Sequence, residues 1–350
     1  MKKAIKLSSH SAQIILDTLI SEKIDFAVVS AKHKLLKISH EGNTFFIRGT
    51  ALPVNSQPSC MIANNKYLTK KVLKLAKILI PKTYLVKTAT QAKKVINLKN
   101  LYPCVLKPTV GAHGNKVYAN IESESELNEV IPHIFPPTGT KSVLIEEFIQ
   151  GKDYRVFVIG DKISAIMERI PAHVIGDGVH TLRRLITLFN SNPLVGVKYE
   201  KPMCKIKLNG EVKRNLKKRG VNYKYIPKLN EQFFLRQNSN ISTGGIGKDA
   251  TLGAPEIVRT TALAATKALG MGITGVDIIY NKQTNKAYVL ELNDQPGIDI
   301  HHFPVIGRAQ NVALDIINYI LNKVPTQTAI ASLEIIPLET PTLEKLLPSV

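Results

Sequence analysis

The chain has 350 residues, of which 44% are hydrophobic and 21% charged, and its formal net charge is +20. This composition excludes a disordered chain, and the length predicts two or three subdomains around a shared cleft. Cys60, Cys104 and Cys204 form no Cys-x-x-Cys pair, so we expect neither a disulfide framework nor a structural zinc site, which fits a reducing compartment. We find no bilayer-spanning segment and no signal peptide, and therefore expect a cytoplasmic protein without membrane contact.

The N-terminal part of the chain predicts a small α/β unit followed by a helix. Residues 11–22 have the apolar spacing of a helix, and short strands are predicted at 26–30, 35–39 and 44–48. A further helix follows Lys66 and should end near Ile80, because a proline comes next. The predicted domains are an N-terminal α/β cap (1–64), a helical lead-in (65–100), a first subdomain (101–153), a second subdomain (154–321) and a C-terminal tail of unassigned role (322–350).

The two subdomains are predicted to combine buried strands with amphipathic helices, which gives an α/β (α+β) fold class. The predicted elements are strands at 102–108, 143–149, 273–280 and 286–292, a hairpin at 154–170, and helices at 123–135, 179–190 and 255–269.

The last predicted hairpin carries three oxygen-bearing side chains on one face. Glu291 and Asn293 lie two residues apart on one strand, and Asp277 lies between apolar residues on the partner strand. Two carboxylates and an amide oxygen suit Mg²⁺, which takes few protein ligands and completes its shell with water and substrate phosphates. The pattern predicts a metal–nucleotide site, although a hairpin with a polar, solvated face also explains these residues. The turn at 294–297 favours the site, because its backbone amides can face an anion.

A phosphate-binding loop is predicted after the strand that ends at Lys107. The loop 109–115 contains two glycines, which let backbone N–H groups approach phosphate oxygens, and Lys107 adds a point charge. Its spacing is that of neither a P-loop nor a Rossmann fingerprint. The stretch 146–153 follows another strand, where exposed backbone can pair with a purine edge and Asp153 can accept from ribose hydroxyls. Taken alone, ordinary surface turns are the commoner explanation of both motifs.

The order of these motifs along the chain carries more information than any one of them. The order is Lys66, Lys107-Pro with its glycine loop, Glu146-Glu-Phe-Ile-x-Gly-x-Asp153, Asp277, Glu291-x-Asn293 and Pro296-Gly297. Over roughly residues 30–320 this resembles the ATP-grasp superfamily, and more closely the ATP-grasp domain of cyanophycin synthetase and of the bifunctional glutathione-forming enzymes. Three further stretches, 169–182, 204–227 and 235–245, carry the closer match.

The resemblance implies an ATP-grasp fold, in which the nucleotide lies between two α/β subdomains. It also implies an ATP-dependent carboxylate–amine ligase that works through an acyl phosphate on small acid and amine substrates, either amino acids or peptides. The implied cofactors are ATP and two Mg²⁺ ions, for which Mn²⁺ can substitute. The implied ATP contacts are Lys66, Lys107, His113, Gly114, Glu146, Glu147, Ile149 and Asp153, and the implied metal ligands are Asp277, Glu291 and Asn293.

Acyl transfer also requires donors for an oxyanion and groups that hold the substrates. We predict that Arg236 and the backbone N–H of Gly297 stabilise the oxyanion of the tetrahedral intermediate. Arg155 and Arg169 are candidates for holding substrate carboxylates, because a guanidinium binds them bidentately. The polar, glycine-rich run after Arg236 suits a substrate-binding loop, with its predicted contacts at Asn238, Asn240 and Ser242.

Two departures from the family pattern keep other functions open. Related glycine loops usually have a glycine where this chain has Lys116, and the position before the first lysine, usually Asp, is Asn65. Both predict retained nucleotide binding but permit weakened catalysis, so an ATP-grasp kinase and a nucleotide sensor are alternatives. The resemblance is also compatible with a homo-oligomer.

A nucleic-acid-binding protein is an alternative of another class. Residues 198–228 are dense in lysine and arginine, and bases can stack on the tyrosines among them. A solvated or substrate-facing loop is favoured over nucleic-acid binding, because the related ligases have a segment of similar pattern here. Composition alone does not separate a binding role for the +20 charge from lysine bias on solvated faces.

Overall fold

The computed structural model describes residues 5–111, 116–136, 142–197, 201 and 203–323. The strands in this part of the chain are β1 (Asp25–Ser30), β2 (Leu35–His40), β3 (Asn43–Arg48), β4 (Thr83–Val86), β5 (Cys104–Pro108), β6 (Tyr118–Ile121), β7 (Val143–Glu147), β8 (Lys152–Ile159), β9 (Lys162–Ile170), β10 (His173–Ile175), β11 (Val195–Gly196), β12 (Met203–Cys204), β13 (Gln232–Phe234), β14 (Ile246–Asp249), β15 (Ile273–Asn281) and β16 (Lys286–Asn293).

The α-helices of the same described part are α1 (His10–Ser21), α2 (Gln57–Ala63), α3 (Lys66–Leu75), α4 (Ala89–Lys99), α5 (Glu124–Ile134), α6 (Leu182–Ser191), α7 (Gly210–Lys218), α8 (Glu256–Ala268), α9 (Asp299–His302) and α10 (Val312–Lys323). No helix among them has the length and apolarity that a bilayer crossing requires.

A five-stranded antiparallel sheet, in the order β14-β9-β8-β15-β16, is the largest sheet of the described residues. Strand side chains alternate between its faces, and each face has its own apolar core. Val156 and Val276 pack with α8 on one face, whereas Phe157 and Ile273 pack with α1 and α10 on the other. Further along the strands, the Phe157 face carries Asp153 and Arg155, so the same alternation that buries Phe157 turns these charged side chains toward the cleft described below.

A four-stranded antiparallel sheet, in the order β4-β7-β5-β6, forms the second half of the fold. Its core is formed with α4 and α5, around Leu106, Ile145 and Leu127. The strand β4 was not predicted, since the sequence indicated only helices between 65 and 100. This strand pairs with β7, so part of the predicted lead-in belongs to the same sheet as the predicted first subdomain.

The described part of the predicted N-terminal cap contains α1, a three-stranded sheet in the order β1-β2-β3, and the short helix α2. Leu16 of α1 and Ile38 of β2 share one buried core with Phe157 and with Ile316 of α10. The cap therefore packs against both the large sheet and the last described helix. The tail beyond residue 323 lies outside the described residues.

Local chemistry sets both ends of α3, which supplies two lysines to the site. Asn65 accepts hydrogen bonds from the backbone N–H groups of Tyr67 and Leu68, at 3.1 and 3.2 Å, and so satisfies donors that the first turn leaves unpaired. The helix ends at Leu75, and Lys77 has a φ of 56°. The prediction that this helix continues to Ile80 was wrong, because the left-handed conformation of Lys77 ends the helical path four residues before Pro81.

Candidate active site

A cleft of about 1160 Å³ lies between the two sheets. Its lining includes predicted site residues from both halves of the fold: Lys66, Lys107, Glu146, Glu147, Ile149, Asp153, Arg169, Arg236, Asn238, Asn240, Asp277 and Glu291. The structure thus brings together most of the predicted set. Two predicted ATP contacts, His113 and Gly114, lie outside the described residues, and Arg155, Ser242, Asn293 and Gly297 are not part of the lining.

Two buried lysines, Lys107 and Lys70, share the buried carboxylate of Glu146, and Lys107 and Glu146 line the cleft. Lys107 of β5 lies 2.9 Å from one oxygen of Glu146, and Lys70 of α3 lies 3.4 Å from the other. Burial by itself would raise the pKa of Glu146, but the two ammonium groups hold it below its usual value. Burial also lowers the pKa of Lys70 to about 8, against the attraction of Glu146. Sequence reasoning missed Lys70.

Lys66 bridges toward the opposite side of the cleft. Its Nζ lies 3.1 Å from Oε2 of Glu291 on β16 and donates to the backbone oxygen of Gly111 at 2.7 Å. Gly111 lies within the predicted phosphate loop, so Lys66 contacts both that loop and the strand of the predicted metal ligand Glu291. Lys116, at the end of that loop, has a φ of 55°, a left-handed conformation that glycine adopts without strain. The backbone there suits the glycine that related loops carry.

Four charged side chains alternate in sign across three neighbouring strands of the large sheet. Arg155 lies directly opposite Asp277, and Arg169 lies opposite Asp153. Arg155 donates to both oxygens of Asp277, with 3.0 Å from Nη2 to Oδ2. Arg169 contacts Asp153 at 2.7 Å and Asp277 at 3.2 Å.

These contacts shift the pKa values of the two carboxyl groups in opposite directions. Burial would raise the pKa of Asp277, but Arg155 and Arg169 lower it to about 2. For Asp153 burial prevails and raises the pKa, although Arg169 and the hydroxyl of Ser239 oppose it. Both guanidinium groups therefore stabilise the charged form of Asp277, and Arg169 shares its contacts between Asp277 and Asp153.

The two arginines are engaged with protein carboxylates, where we predicted that they hold substrate carboxylates. Arg155 does not line the cleft, and its Nε and Nη2 atoms both donate to the Asp277 carboxylate. Gly275 makes room for it: a Cβ there would lie 3.1 Å from Cδ of Arg155 and 2.9 Å from Pro296. The structure thus makes Arg155 a support for Asp277, and Arg169 could hold a substrate only by loosening its own ion pairs.

The three predicted metal ligands share one face of the β15–β16 hairpin. Asp277 is paired with Glu291, and Asn293 is paired with Gly275. The amide nitrogen of Asn293 donates to the Gly275 oxygen at 3.1 Å, which leaves its Oδ1 as the atom for a ligand. Within the described residues no group of three His, Cys, Asp or Glu side chains is placed to hold a metal by itself. A metal here would need oxygens from outside the protein, as phosphates provide.

Arg236 belongs to a buried polar group in the wall of the cleft. Its side chain is 1% exposed and makes an ion pair with Glu211 of α7, and its Nη2 donates to Asn209 at 2.7 Å. Asn238 donates to the other oxygen of Glu211 at 2.7 Å. Arg236 Nε and Asn238 Oδ1 have no hydrogen-bond partner among the described residues. The partners, Asn209 and Glu211, lie at the start of α7, more than 20 residues earlier in the chain. No local sequence pattern predicts these contacts.

The other predicted substrate and oxyanion residues lie nearby but are held differently. Asn240 lines the cleft, whereas Ser242 lies in the short 3-10 turn Ile241–Thr243 and is not part of the lining. Gly297 precedes Ile298, whose N–H donates to the Ser11 hydroxyl at 3.1 Å. The N-terminal helix therefore anchors the turn that carries Gly297.

The basic segment is partly neutralised by acidic residues at the rim of the cleft. Lys218 lies 2.8 Å from Glu122 and 3.5 Å from Glu126, and it also donates to the Asn120 oxygen at 2.8 Å. Arg214 donates to the Ala119 oxygen at 2.9 Å. These contacts join α7 to the edge strand β6 and to α5, so part of the predicted nucleic-acid or substrate surface serves instead to join two parts of the same chain.

Comparisons with protein families and with known proteins agree on the family to which this chain belongs. A family model described as a RimK-like ATP-grasp domain matches residues 63–174 and 230–320. The glutathione biosynthesis bifunctional protein GshAB of Clostridium perfringens is 32% identical over 89% of this chain and 41% of its own length. A cyanophycin synthetase of Crocosphaera subtropica is 31% identical over 73% of this chain and 30% of its own. This chain thus spans less than half the length of these relatives.

A solved structure agrees with these sequence matches. The crystal structure of a bifunctional glutathione synthetase from Pasteurella multocida covers 90% of this chain and 43% of its own, with 27% identity and a TM-score of 0.65. The ATP-grasp fold predicted from the order of the motifs is confirmed.

Proposed function

Because this chain belongs to the RimK-like ATP-grasp family, we propose that it is an ATP-dependent carboxylate–amine ligase. It forms an amide or peptide bond through an acyl phosphate and releases ADP and phosphate. The main support is the convergence of Lys66 and Lys107 with Asp277 and Glu291 on one cleft between two sheets. The substrates are a small acid and an amine, either amino acids or peptides, and the reaction takes place in the cytoplasm.

Asp277, Glu291 and Asn293 suit Mg²⁺ as ligands because all three offer hard oxygen atoms from one face of a hairpin. Two Mg²⁺ ions, or Mn²⁺ in their place, would be held by these side chains together with the nucleotide's phosphates. When bound, the metal neutralises phosphate charge and orients the reacting groups.

The first step is phosphoryl transfer from ATP to the acid. A carboxylate oxygen of the substrate attacks the γ-phosphorus, the bond to the β–γ bridging oxygen breaks, and ADP leaves. Such a step depends mainly on positioning and on neutralising charge. Lys107 and Lys66 supply positive charge to the phosphates. Glu147 at the end of β7 and Ile149, two residues after it, contact the adenine, and Asp153 accepts from the ribose hydroxyls.

The second step forms the amide. The amine nitrogen attacks the acyl carbon, the carbon–oxygen bond to phosphate breaks, and the nitrogen loses a proton. The oxyanion formed on the way needs a fixed donor. Arg236 has its Nη atoms engaged with Glu211 and Asn209, so its Nε–H is the group available to donate, with the Gly297 N–H as a second candidate.

A screen for phosphate release tests this function. The protein is incubated with ATP, Mg²⁺ and pairs of amino acids or dipeptides, and mass spectrometry identifies any product. We expect one pair to stimulate phosphate release and to yield an amide in equal amount. Phosphorylated acid without an amide would indicate a kinase, and ATP binding without turnover for any pair would indicate a nucleotide sensor. Either result would contradict the ligase.

A further inference from the structure

Lys70 is a buried lysine for which the ligase mechanism has no role. Its side chain is 3% exposed and lies where three elements meet. From α3 it reaches Glu146 on β7, in the four-stranded sheet, and it donates to the backbone oxygen of Val289 on β16, in the five-stranded sheet, at 3.0 Å. Burying an ammonium group costs desolvation free energy unless the group is paired. A buried lysine at this junction is therefore expected to have a specific role.

The charges around Lys70 do not cancel. Lys70 and Lys107 face the single carboxylate of Glu146, so the buried trio has a formal charge of +1. Glu291, the next carboxylate along the cleft, is already paired with Lys66 at 3.1 Å. An uncompensated positive charge in a partly dehydrated cleft attracts an anion more strongly than the same charge would in water. If Lys70 were absent, Glu146 would neutralise Lys107 by itself.

The second contact of Lys70 fixes the strand that carries Glu291. The register of β15 and β16 shifts between Val289, which is opposite Ile278, and Glu291, which is opposite Asp277. The strand β16 lies at the edge of the sheet, and the backbone groups of Val289 bond outside that sheet. Its N–H donates to the Leu79 oxygen at 2.9 Å, and its oxygen accepts from Lys70. Lys70 thus holds the strand just before the irregularity that sets the position of Glu291.

We propose that Lys70 is a positioning residue of the phosphate site. It shares Glu146 with Lys107, so that Lys107 keeps its charge for the nucleotide, and it ties Lys107 to the strand of Glu291 through Val289. This inference rests on the proposed function, since it assumes that the cleft binds a nucleotide. It predicts that Lys70 contributes to the binding of phosphates and not to the binding of the nucleoside.

Calorimetric binding of ADP and of adenosine, with Mg²⁺ in constant excess, tests the inference. In Lys70→Met, which keeps the apolar stem, we expect ADP affinity to fall at least tenfold and adenosine affinity to change less than twofold. Lys74→Met, an exposed position on the same helix, is the matched control and should bind both ligands as the wild type does. The double variant Lys70→Met/Glu146→Gln should recover part of the ADP affinity, because Lys107 is again uncompensated.

A purely structural lysine would give a different pattern. Equal losses of ADP and adenosine affinity in Lys70→Met, or a double variant weaker than the single one, would overturn the inference. If Lys70→Met does not fold, Lys70→Gln keeps a donor for Val289 and carries the same expectation. A wild-type protein that bound neither ligand would refute the proposed function as well, whereas normal ADP binding by the variant would refute only the role of Lys70.

Discussion

Two lysine-containing regions of this chain use charge in opposite ways. Beside the cleft, Lys70 and Lys107 are almost fully buried and share one carboxylate, that of Glu146. On α7, Lys217 lies 2.7 Å from Glu129, but these side chains are 74% and 47% exposed. Buried pairs are strongly interdependent, whereas exposed pairs are weakened by water and salt. The comparison teaches that a net charge of +20 does not locate the functional charges, because burial decides which of them act strongly.

The largest effect is expected at Asp277, because Arg155 and Arg169 both pair with this one buried carboxylate. Asp277→Asn should reduce ADP release from ATP by about a thousandfold or more, which corresponds to roughly 4 kcal/mol of activation free energy. The change removes a predicted metal ligand and leaves Arg155 and Arg169 facing a neutral amide. Asp161→Asn, on the exposed β8–β9 turn, is the control for steady-state assays. Unchanged turnover in Asp277→Asn would mean that the metal assignment is wrong.

A large loss of stability is expected when the shared carboxylate is removed. Glu146→Leu leaves two buried ammonium groups without their partner, and breaking a buried ion pair in this way typically costs about 3–5 kcal/mol. Urea unfolding at pH 7 measures this loss as a lower midpoint with an unchanged slope. A loss as small as that of a surface variant would show that the trio is hydrated, and the contrast between the two regions would fail.

A moderate effect of pH on ADP affinity is expected. Burial lowers the pKa of Lys70 to about 8; Glu146 and Glu291 oppose this shift, and Lys107 adds to it. As pH rises through about 8, Lys70 loses its proton and the trio loses its net charge. We expect ADP affinity to fall by up to about tenfold between pH 7 and 9, since one pKa unit corresponds to one decade. Calorimetry should show this fall in the wild type and not in Lys70→Met.

Stability should move in the opposite direction over a related range. The folded-state pKa of Lys70 lies below the ordinary lysine value of 10.5, so between about pH 8 and 10.5 the unfolded chain binds more protons at this site. The contribution of Lys70 to the free energy of unfolding therefore increases as pH rises through this window. Denaturant titrations of wild type against Lys70→Met isolate this contribution, and a parallel decline of stability and affinity would contradict it.

The smallest effect is expected on the surface. Glu129→Gln breaks the pair with Lys217, whose partners are both well exposed, and should leave the thermal midpoint and ADP affinity unchanged. Thermal scans at low salt and at 1 M salt test this, because salt weakens the attraction within an exposed pair. A substantial loss in this variant would mean that the contact between α7 and α5 supports the cleft more strongly than its exposure indicates.

Some of the site could be predicted because its chemistry follows strand alternation. The polar positions 291 and 293 and the single acid at 277, between apolar neighbours, predicted a shared hairpin face, and the register confirms it. The roles of these residues as metal ligands stay predictions. Lys107 could be found for a similar reason, since it interrupts a buried strand just before a glycine loop.

Other parts of the site could not be predicted because they depend on distant packing. Lys70 lies four residues after Lys66, so helical spacing puts both on one face, but nothing local shows that this face is buried against Glu146 and Val289. Arg155 was predicted to bind substrate because its cross-strand partner was not considered. Arg236 has its partners on α7, and that pairing depends on how two separate segments pack.

The outward-facing backbone of Val289 has a consequence for how the protein behaves in solution. An uncovered edge strand offers its N–H and C=O groups to a strand of another molecule, which promotes aggregation. Here the Leu79 oxygen and the Lys70 ammonium cover both groups of Val289. The Lys70 side chain, which shares Glu146 with Lys107, thus also covers a carbonyl of the edge strand β16. Purified Lys70 variants should therefore be tested for aggregation by light scattering as well as for ADP affinity.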